Sequence, residues 1–138
     1  DWHSRKILSF RLSNTMHTDF CIEAVNEAIQ KYGTPEIMNT DQGSQFTSLE
    51  FTDLLKSHHI QISMDGKGCW RDNVIIERFW RTVKYEEVYL KAYQTKSEAR
   101  TGMTQYIRFY NEVRGHQALN GQTQDSVYSN NPLTVNAA

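Results

Sequence analysis

A chain of 138 residues has room for one domain or part of one. Its formal net charge of −1 gives no general attraction to nucleic acid, so a DNA-binding surface would need local clusters of basic residues. Two cysteines are too few for a disulfide framework, and no apolar stretch approaches the roughly 20 residues of a membrane-spanning helix. We therefore expect a cytoplasmic protein with reduced thiols and no membrane partner.

The hydrophobic pattern of the first half predicts strands that alternate with helices. The expected strands cover residues 6–12, 36–40 and 60–64, and the expected helices cover about 16–32 and 47–58. Gly33 and Pro35 end the first helix, and Thr47 and Glu50 have the spacing of a capping box that opens the second. Strands separated by helices indicate an α/β domain.

The second half has a helical pattern. A glycine-containing loop precedes a helix over about 72–89, whose predicted apolar stripe consists of Ile76, Phe79, Trp80 and Val83. A capping box at Thr95 and Glu98 predicts another helix that ends near residue 112. Residues after 113 are expected to be irregular, with a turn of helix at 125–128.

Two carboxylates are the candidate catalytic residues. Asp41 follows the predicted strand 36–40, at the strand end where open α/β sheets bind ligands, and Glu77 lies in the helix 72–89. Both could bind one divalent metal ion. Simpler explanations remain open, because Asp41 also suits a turn after a strand and Glu77 could form an ordinary helix-surface pair with Arg81.

Basic residues cluster around Glu77 and suggest a surface that faces phosphates. The cluster consists of Lys67, Arg71, Arg78, Arg81, Lys84 and Lys91. Trp70 in the glycine-containing loop could stack on an unpaired base, although a packing role is equally consistent with the sequence. The alternative for the whole cluster is a solvated helix face that Glu86 and Glu87 balance.

Five sequence motifs together resemble the catalytic core of DDE transposases and retroviral-type integrases, most closely that of bacterial insertion-sequence transposases. They are Ser4-Arg5-Lys6-Ile7, Thr40-Asp41-Gln42-Gly43-Ser44-Gln45-Phe46, Asp72-Asn73 with Ile76-Glu77-Arg78, Lys84-Tyr85-Glu86, and Tyr110-Asn111 with Arg114 and His116. The resemblance predicts that residues 1–128 are catalytic core and that 129–138 are an irregular tail.

The resemblance implies a ribonuclease H-like fold with a mixed sheet flanked by helices. It also implies an enzyme that cleaves DNA and transfers strands with Mg²⁺ or Mn²⁺. It makes Asp41 and Glu77 the second and third acids of an Asp, Asp, Glu triad, as catalytic residues and metal ligands. It also implies DNA contacts through Lys67, Arg71, Asn73, Arg78, Arg81, Lys84, Arg114 and His116. The implied partners are double-stranded DNA, at element ends and target, and further transposase chains.

The first acid of such enzymes lies on a central strand upstream of the segment that Asp1 matches. We therefore expect a partial fold without this strand, impaired or absent strand transfer, and self-association or pairing with full-length transposase. A remnant without catalysis and a nuclease on the same fold remain alternatives. The chain also departs from the family pattern at Gly115 and Gln124, where proline is usual, and at His59, where a helix-ending glycine is typical.

Overall fold

The computed structural model describes residues 1–64, 66 and 70–131, and it describes the side chains of these residues except for 70–73. The chain divides into two compact units. The first, which we call the sheet unit, is Ser9–Val74, and the second, the helical unit, holds Asp1–Leu8 and the chain from Ile75 onward. None of the described helices is long and apolar enough to cross a membrane.

From residue 16 onward the elements of the sheet unit follow the predicted order, with α2 as an addition. They are α1 (Asp19–Tyr32), β1 (Ile37–Thr40), α2 (Ser44–Thr47), α3 (Leu49–Ser57), β2 (Gln61–Met64) and the first turn of α4 (Trp70–Val83). β1 and β2 are parallel, with Ile37 opposite Gln61 and Thr40 opposite Met64, and they form the whole sheet within the described residues. The connection through α2 and α3 is the helical crossover that parallel strands require.

The core of the sheet unit lies between its helices and its two strands. Cys21, Phe51, Leu55 and Ile60 are buried, and Phe46 meets Phe51 edge to face at 5.3 Å between ring centroids. Partly buried apolar residues pack against them, namely Phe20, Ile22, Val25, Ile29, Met38, Phe46 and Ile62. Burial of the Cys21 thiol raises its pKa.

The ends of the helices in this unit have identifiable caps. As predicted, α1 ends at Gly33, which has φ of 85° and donates its N–H to the Ile29 carbonyl. α3 starts at Ser48, whose hydroxyl accepts from Phe51 N–H, so the predicted cap at Thr47 is wrong by one residue. His59 follows α3 with φ of 57°, and Ile60 N–H bonds to the Leu55 carbonyl, as in a Schellman motif. His59 therefore has the left-handed conformation that a helix-ending glycine, typical of the family at this position, would adopt.

The predicted strand at residues 6–12 is not a strand in the structure. The side-chain amide of Asn111 donates to the Ile7 carbonyl and accepts from the Ile7 N–H, both at 2.9 Å. These two bonds satisfy backbone groups that would otherwise pair with a neighbouring strand. Further along, Arg11 forms ion pairs with Glu23 and Glu27 of α1.

The helical unit begins with the remainder of a long helical run. α4 passes into a π-helical segment, Lys84–Val88, and then into α5 (Tyr89–Lys91). α6 (Lys96–Glu112), a 3₁₀ turn (Gln117–Leu119) and α7 (Gln124–Ser129) follow. The predicted helix 72–89 is thus confirmed in outline, but the sequence pattern did not indicate its π turn. Ser129 belongs to α7, and the predicted irregular tail from residue 132 onward lies outside the described residues.

The core of the helical unit consists mainly of α6 side chains and two residues of α4. Phe79 and Val83 are buried, and Phe79 meets Tyr110 edge to face at 5.0 Å between ring centroids. Met103, Tyr106 and Ile107 are also buried. Ile76 and Trp80 remain 42 % and 48 % exposed, so the predicted apolar stripe of α4 is narrower than its sequence pattern suggests.

Candidate active site and nucleic-acid interface

Asp41 lies directly after β1, in the sheet unit, and its side chain is exposed. Its Oδ1 accepts a hydrogen bond from Gly43 N–H at 2.8 Å, which fixes the carboxylate over the turn that enters α2. One oxygen of Asp41, Oδ1, therefore stabilises the turn. The other, Oδ2, has no hydrogen-bond or ion-pair partner among the described residues.

Gly43 leaves the space that the Asp41 carboxylate uses. A β-carbon at residue 43 would lie 2.9 Å from Asp41 Oδ1 and 3.1 Å from Gln45 Oε1. Two hard oxygen atoms thus flank a position that only glycine leaves open. Oxygen atoms of this kind are the ligands that magnesium and calcium prefer.

Glu77 is exposed on α4, in the helical unit. The described residues show no ion pair between Glu77 and Arg81, although the two are four positions apart on one helix. The simple explanation of Glu77 as half of a surface pair therefore has no support in the structure. Across the described ranges, no three His, Cys, Asp or Glu side chains form a group that could hold a metal ion.

Three of the predicted DNA-binding residues present exposed cations on the same helical run. Arg78 and Arg81 belong to α4, and Lys84 begins the π segment. Within the part of the chain that the structure describes, none of the three forms a salt bridge, whereas Lys91 pairs with Glu87 at 2.9 Å. Lys67 lies outside the described residues, and Arg71, Asn73 and Trp70 lie in α4 with side chains outside the description.

Arg114 does not present an unpaired cation. Its Nη2 lies 2.9 Å from Glu86 Oε1, and its guanidinium lies 5.7 Å from the centre of the Tyr110 ring. Glu86 also accepts a hydrogen bond from Tyr106 Oη at 2.7 Å. Burial raises the pKa of Tyr106, and the Glu86 carboxylate raises it further. The arrangement joins the π segment to α6 and to the residues after it.

His116 caps the 3₁₀ turn, since its Nδ1 accepts a hydrogen bond from Ala118 N–H at 3.1 Å. Burial lowers the pKa of His116, and the positive charges of Arg114, Arg5 and Arg78 lower it further. An imidazole with a lowered pKa is neutral at pH 7 and adds no charge to a DNA surface. The geometry therefore favours structural roles for both Arg114 and His116.

Glu86 and Glu87 have roles that the sequence analysis missed. The alternative interpretation of the basic cluster had both residues balance a solvated helix face, but Glu87 is only 4 % exposed. It accepts a hydrogen bond from Tyr93 Oη and pairs with Lys91. The spacing of Glu87 and Lys91, four positions apart, indicates their ion pair in the sequence, but it does not indicate the burial of Glu87. The burial of Glu87 continues the row of buried residues Phe79 and Val83 into the π segment.

Comparison with known protein families identifies the chain. Family models described as "Integrase core domain" match residues 1–68 and 58–123. The chain belongs to the integrase core domain family. Its similarity to bacterial insertion-sequence transposases supports the same conclusion and confirms the recognition made from the sequence motifs.

Two transposases illustrate this similarity. The chain is 34 % identical over 122 residues to the transposase of insertion sequence IS904 from Lactococcus lactis, covering 86 % of this chain and 48 % of that protein. It is 28 % identical over 134 residues to transposase InsF of IS3A from Escherichia coli, covering 95 % of this chain and 46 % of that protein. The chain thus spans about half the length of the relatives it matches.

Solved structures confirm the fold of this integrase core. The catalytic core of HTLV-2 integrase in complex with magnesium superposes with a TM-score of 0.65 at 20 % identity, over 86 % of this chain and 74 % of that one. The simian T-cell lymphotropic virus intasome, in complex with the PP2A regulatory subunit B56 gamma, gives 0.70 at 16 % identity, over 88 % of this chain and 43 % of that one. The α/β, ribonuclease H-like prediction is correct.

Proposed function

We propose that this chain is part of the catalytic core of a DDE transposase, which cleaves DNA at the ends of an insertion sequence and joins them to target DNA. The proposal rests on Asp41 and Glu77, the two acids that the sequence resemblance assigns to the catalytic triad. Both are exposed, and neither forms an ion pair among the described residues. The bacterial relatives are transposases, so the proposed site of action is the DNA in the cytoplasm of a bacterium.

Asp41 and Glu77 are the proposed ligands of Mg²⁺ or Mn²⁺. The chemistry of the donor set fits this role, because both side chains offer hard carboxylate oxygens and Gly43 keeps the space beside Asp41 Oδ1 open. When bound, such ions activate the attacking water or 3′-hydroxyl and stabilise the leaving oxygen. The Gly43 N–H fixes one Asp41 oxygen and leaves Oδ2 for a ligand.

Double-stranded DNA is the proposed substrate, and Arg78, Arg81 and Lys84 are its proposed phosphate contacts. This role is supported by the exposure of all three side chains, none of which forms a salt bridge among the described residues. The sequence adds Lys67, Arg71 and Asn73 to this proposed surface. We assign Arg114 and His116 to the support of the π segment and the 3₁₀ turn instead. Self-association is also proposed, since related integrase cores occur in dimeric and trimeric forms.

A strand-transfer assay tests the proposal. The substrate is a labelled duplex with the terminal repeats of the element that encodes the protein, incubated with a target plasmid and Mg²⁺ or Mn²⁺. Asp41→Asn and Glu77→Gln remove the charge with little change of volume, and each should lower the yield of joined product by roughly 10³-fold or more, because catalytic acids act as a unit. Matched controls are Asp53→Asn and Glu50→Gln, exposed acids of α3 that should leave the yield unchanged.

The products separate this function from its alternatives. Nicked DNA without joined strands, lost on Glu77→Gln, would identify a nuclease instead. DNA binding that weakens steeply with salt, without any product, would identify a binding protein without catalysis. Joined product that persists in both Asp41→Asn and Glu77→Gln would refute the assignment of the two acids.

A further inference from the structure

The π segment and the first residue of α5 carry two exposed tyrosines that the proposed reaction does not use. Tyr85 and Tyr89 are each 63 % exposed, and their ring centroids lie 5.4 Å apart at an interplanar angle of 89°. In an edge-to-face pair, the ring that offers its edge keeps both of its own faces open. The pair therefore presents aromatic surface to solvent.

These tyrosines lie on the helix face opposite the core. The core-facing positions are Phe79, Val83 and Glu87, which repeat every four residues and are buried. Residues two positions away from these point to roughly the opposite side of the helix, about 200° around the axis at the 3.6 residues per turn of α4. That opposite row consists of Arg81, Tyr85 and Tyr89, and all three are exposed.

The surroundings of Tyr85 suit a nucleotide. An open depression of about 340 Å³ is lined by Arg81, Thr82, Tyr85 and Glu86. The Glu86 carboxylate would repel a phosphate, but Arg114 and the Tyr106 hydroxyl already bind both of its oxygens. Arg81 and Lys84 are exposed cations that form no salt bridge among the described residues. Positive charge and an open aromatic face are thus adjacent.

We propose that Arg81, Tyr85 and Tyr89 form a stacking site for an unpaired nucleotide of a DNA strand. In this site a base stacks on the tyrosine pair while Arg81 meets the adjoining phosphate. Stacking on aromatic side chains accepts any base, and it requires the base to be unpaired. This proposal rests on the proposed function, because it assumes that the chain binds DNA. It goes further by specifying that the bound DNA has an unpaired nucleotide.

Binding to two oligonucleotides tests the site in the intact protein. One is a fluorescein-labelled blunt duplex, and the other is the same duplex with a three-nucleotide single-stranded overhang, both followed by fluorescence anisotropy. Tyr85→Leu keeps apolar bulk and should weaken overhang binding roughly 5- to 100-fold. It should change blunt-duplex binding by less than about twofold, because paired bases cannot stack there.

Three further variants sharpen the test. Tyr85→Phe keeps the ring and should retain overhang binding. Arg81→Gln should lower the salt dependence of overhang binding by about 0.7 in the slope of log K against log salt, as expected for one phosphate contact on a single strand. The matched control is Phe109→Leu, which removes an exposed aromatic ring from α6 and should leave both affinities unchanged. A 5-iodouracil in the overhang should crosslink to Tyr85 or Tyr89.

Two results would overturn the stacking site. Equal weakening of overhang and blunt duplex by Tyr85→Leu would mean that the tyrosines do not select unpaired bases. A lower oligomeric state of Tyr85→Leu in sedimentation, with unchanged overhang binding, would mean that a second copy covers the pair. Strand transfer tests the proposed function separately, since loss of joined product in Glu77→Gln does not depend on an overhang preference.

Discussion

Gly102 lies inside α6, where glycine costs about 1 kcal/mol of stability relative to alanine. The tertiary structure explains its presence. A β-carbon at residue 102 would lie 2.6 Å from Tyr93 Cζ and closer still to Tyr93 Oη. The Tyr93 hydroxyl donates to the carboxylate of Glu87, which is 4 % exposed. Gly102→Ala must therefore displace Tyr93 and break this hydrogen bond.

The expected net effect of Gly102→Ala is a loss of about 1.5–5 kcal/mol in the free energy of unfolding. Overpacking costs about 1–3 kcal/mol, and a lost hydrogen bond to a charged group costs about 1.5–3 kcal/mol. The gain of about 1 kcal/mol in helix propensity offsets part of this. Lys91 still pairs with Glu87 at 2.9 Å, which limits the penalty of the buried charge.

Urea unfolding, followed by circular dichroism at 222 nm, measures the loss. The matched control is the same substitution in a Tyr93→Ala background, where no ring opposes the new methyl group. There, Gly102→Ala should stabilise the protein by up to about 1 kcal/mol. A change of the same sign and size in both backgrounds would refute the steric reasoning.

The Tyr93 hydroxyl gives a second measurement. Burial and the Glu87 carboxylate raise the pKa of Tyr93 to about 12, from an ordinary value near 10. If Gly102→Ala displaces the ring into solvent, this pKa should fall toward 10. The ¹³Cζ chemical shift of labelled tyrosine should then report tyrosinate at pH 11 in the variant and neutral phenol in the parent. An unchanged titration would show that Tyr93 stays on Glu87.

Two other substitutions test contacts of the helical unit. Asn111→Ala removes both hydrogen bonds to the Ile7 backbone and should cost about 2–3 kcal/mol, with faster amide exchange at Ile7; unchanged exchange there would contradict the pairing. His116→Asn keeps an N-cap acceptor but removes the titration. Because the folded-state pKa of His116 is lowered, its contribution to stability is complete above about pH 6.5 and is lost as pH falls through the folded pKa. The drop in urea midpoint from pH 7.5 to pH 5 should therefore be smaller in His116→Asn, and an equal drop would refute this role.

Local signals in the sequence predicted much of the fold. The apolar spacing of α1 and its end at Gly33, the strands β1 and β2, and the left-handed His59 all depend on residues within a few positions of one another. Such features follow from periodicity and from the conformational preferences of single residues. The five motifs together were sufficient for the family because the residues of each motif lie within a few positions of one another.

The failures of prediction involve partners that are distant in sequence. Ile7 pairs with Asn111 across 104 positions, so the alternating pattern of residues 6–12 did not produce a strand. The ion pair between Arg114 and Glu86 spans 28 positions, and the sequence did not indicate it either. No periodic pattern reports such a pairing, since it depends on which surfaces α6 brings together.

The sequence by itself determined the family of this protein, most of its helices and strands from α1 onward, and the two candidate acids. Only the tertiary structure decided which charges remain exposed. Glu87, in the π segment, is buried, and Glu86 forms an ion pair with Arg114. The sequence does not indicate whether water or another side chain surrounds a charged side chain. Its electrostatic role is therefore set by the packing around it.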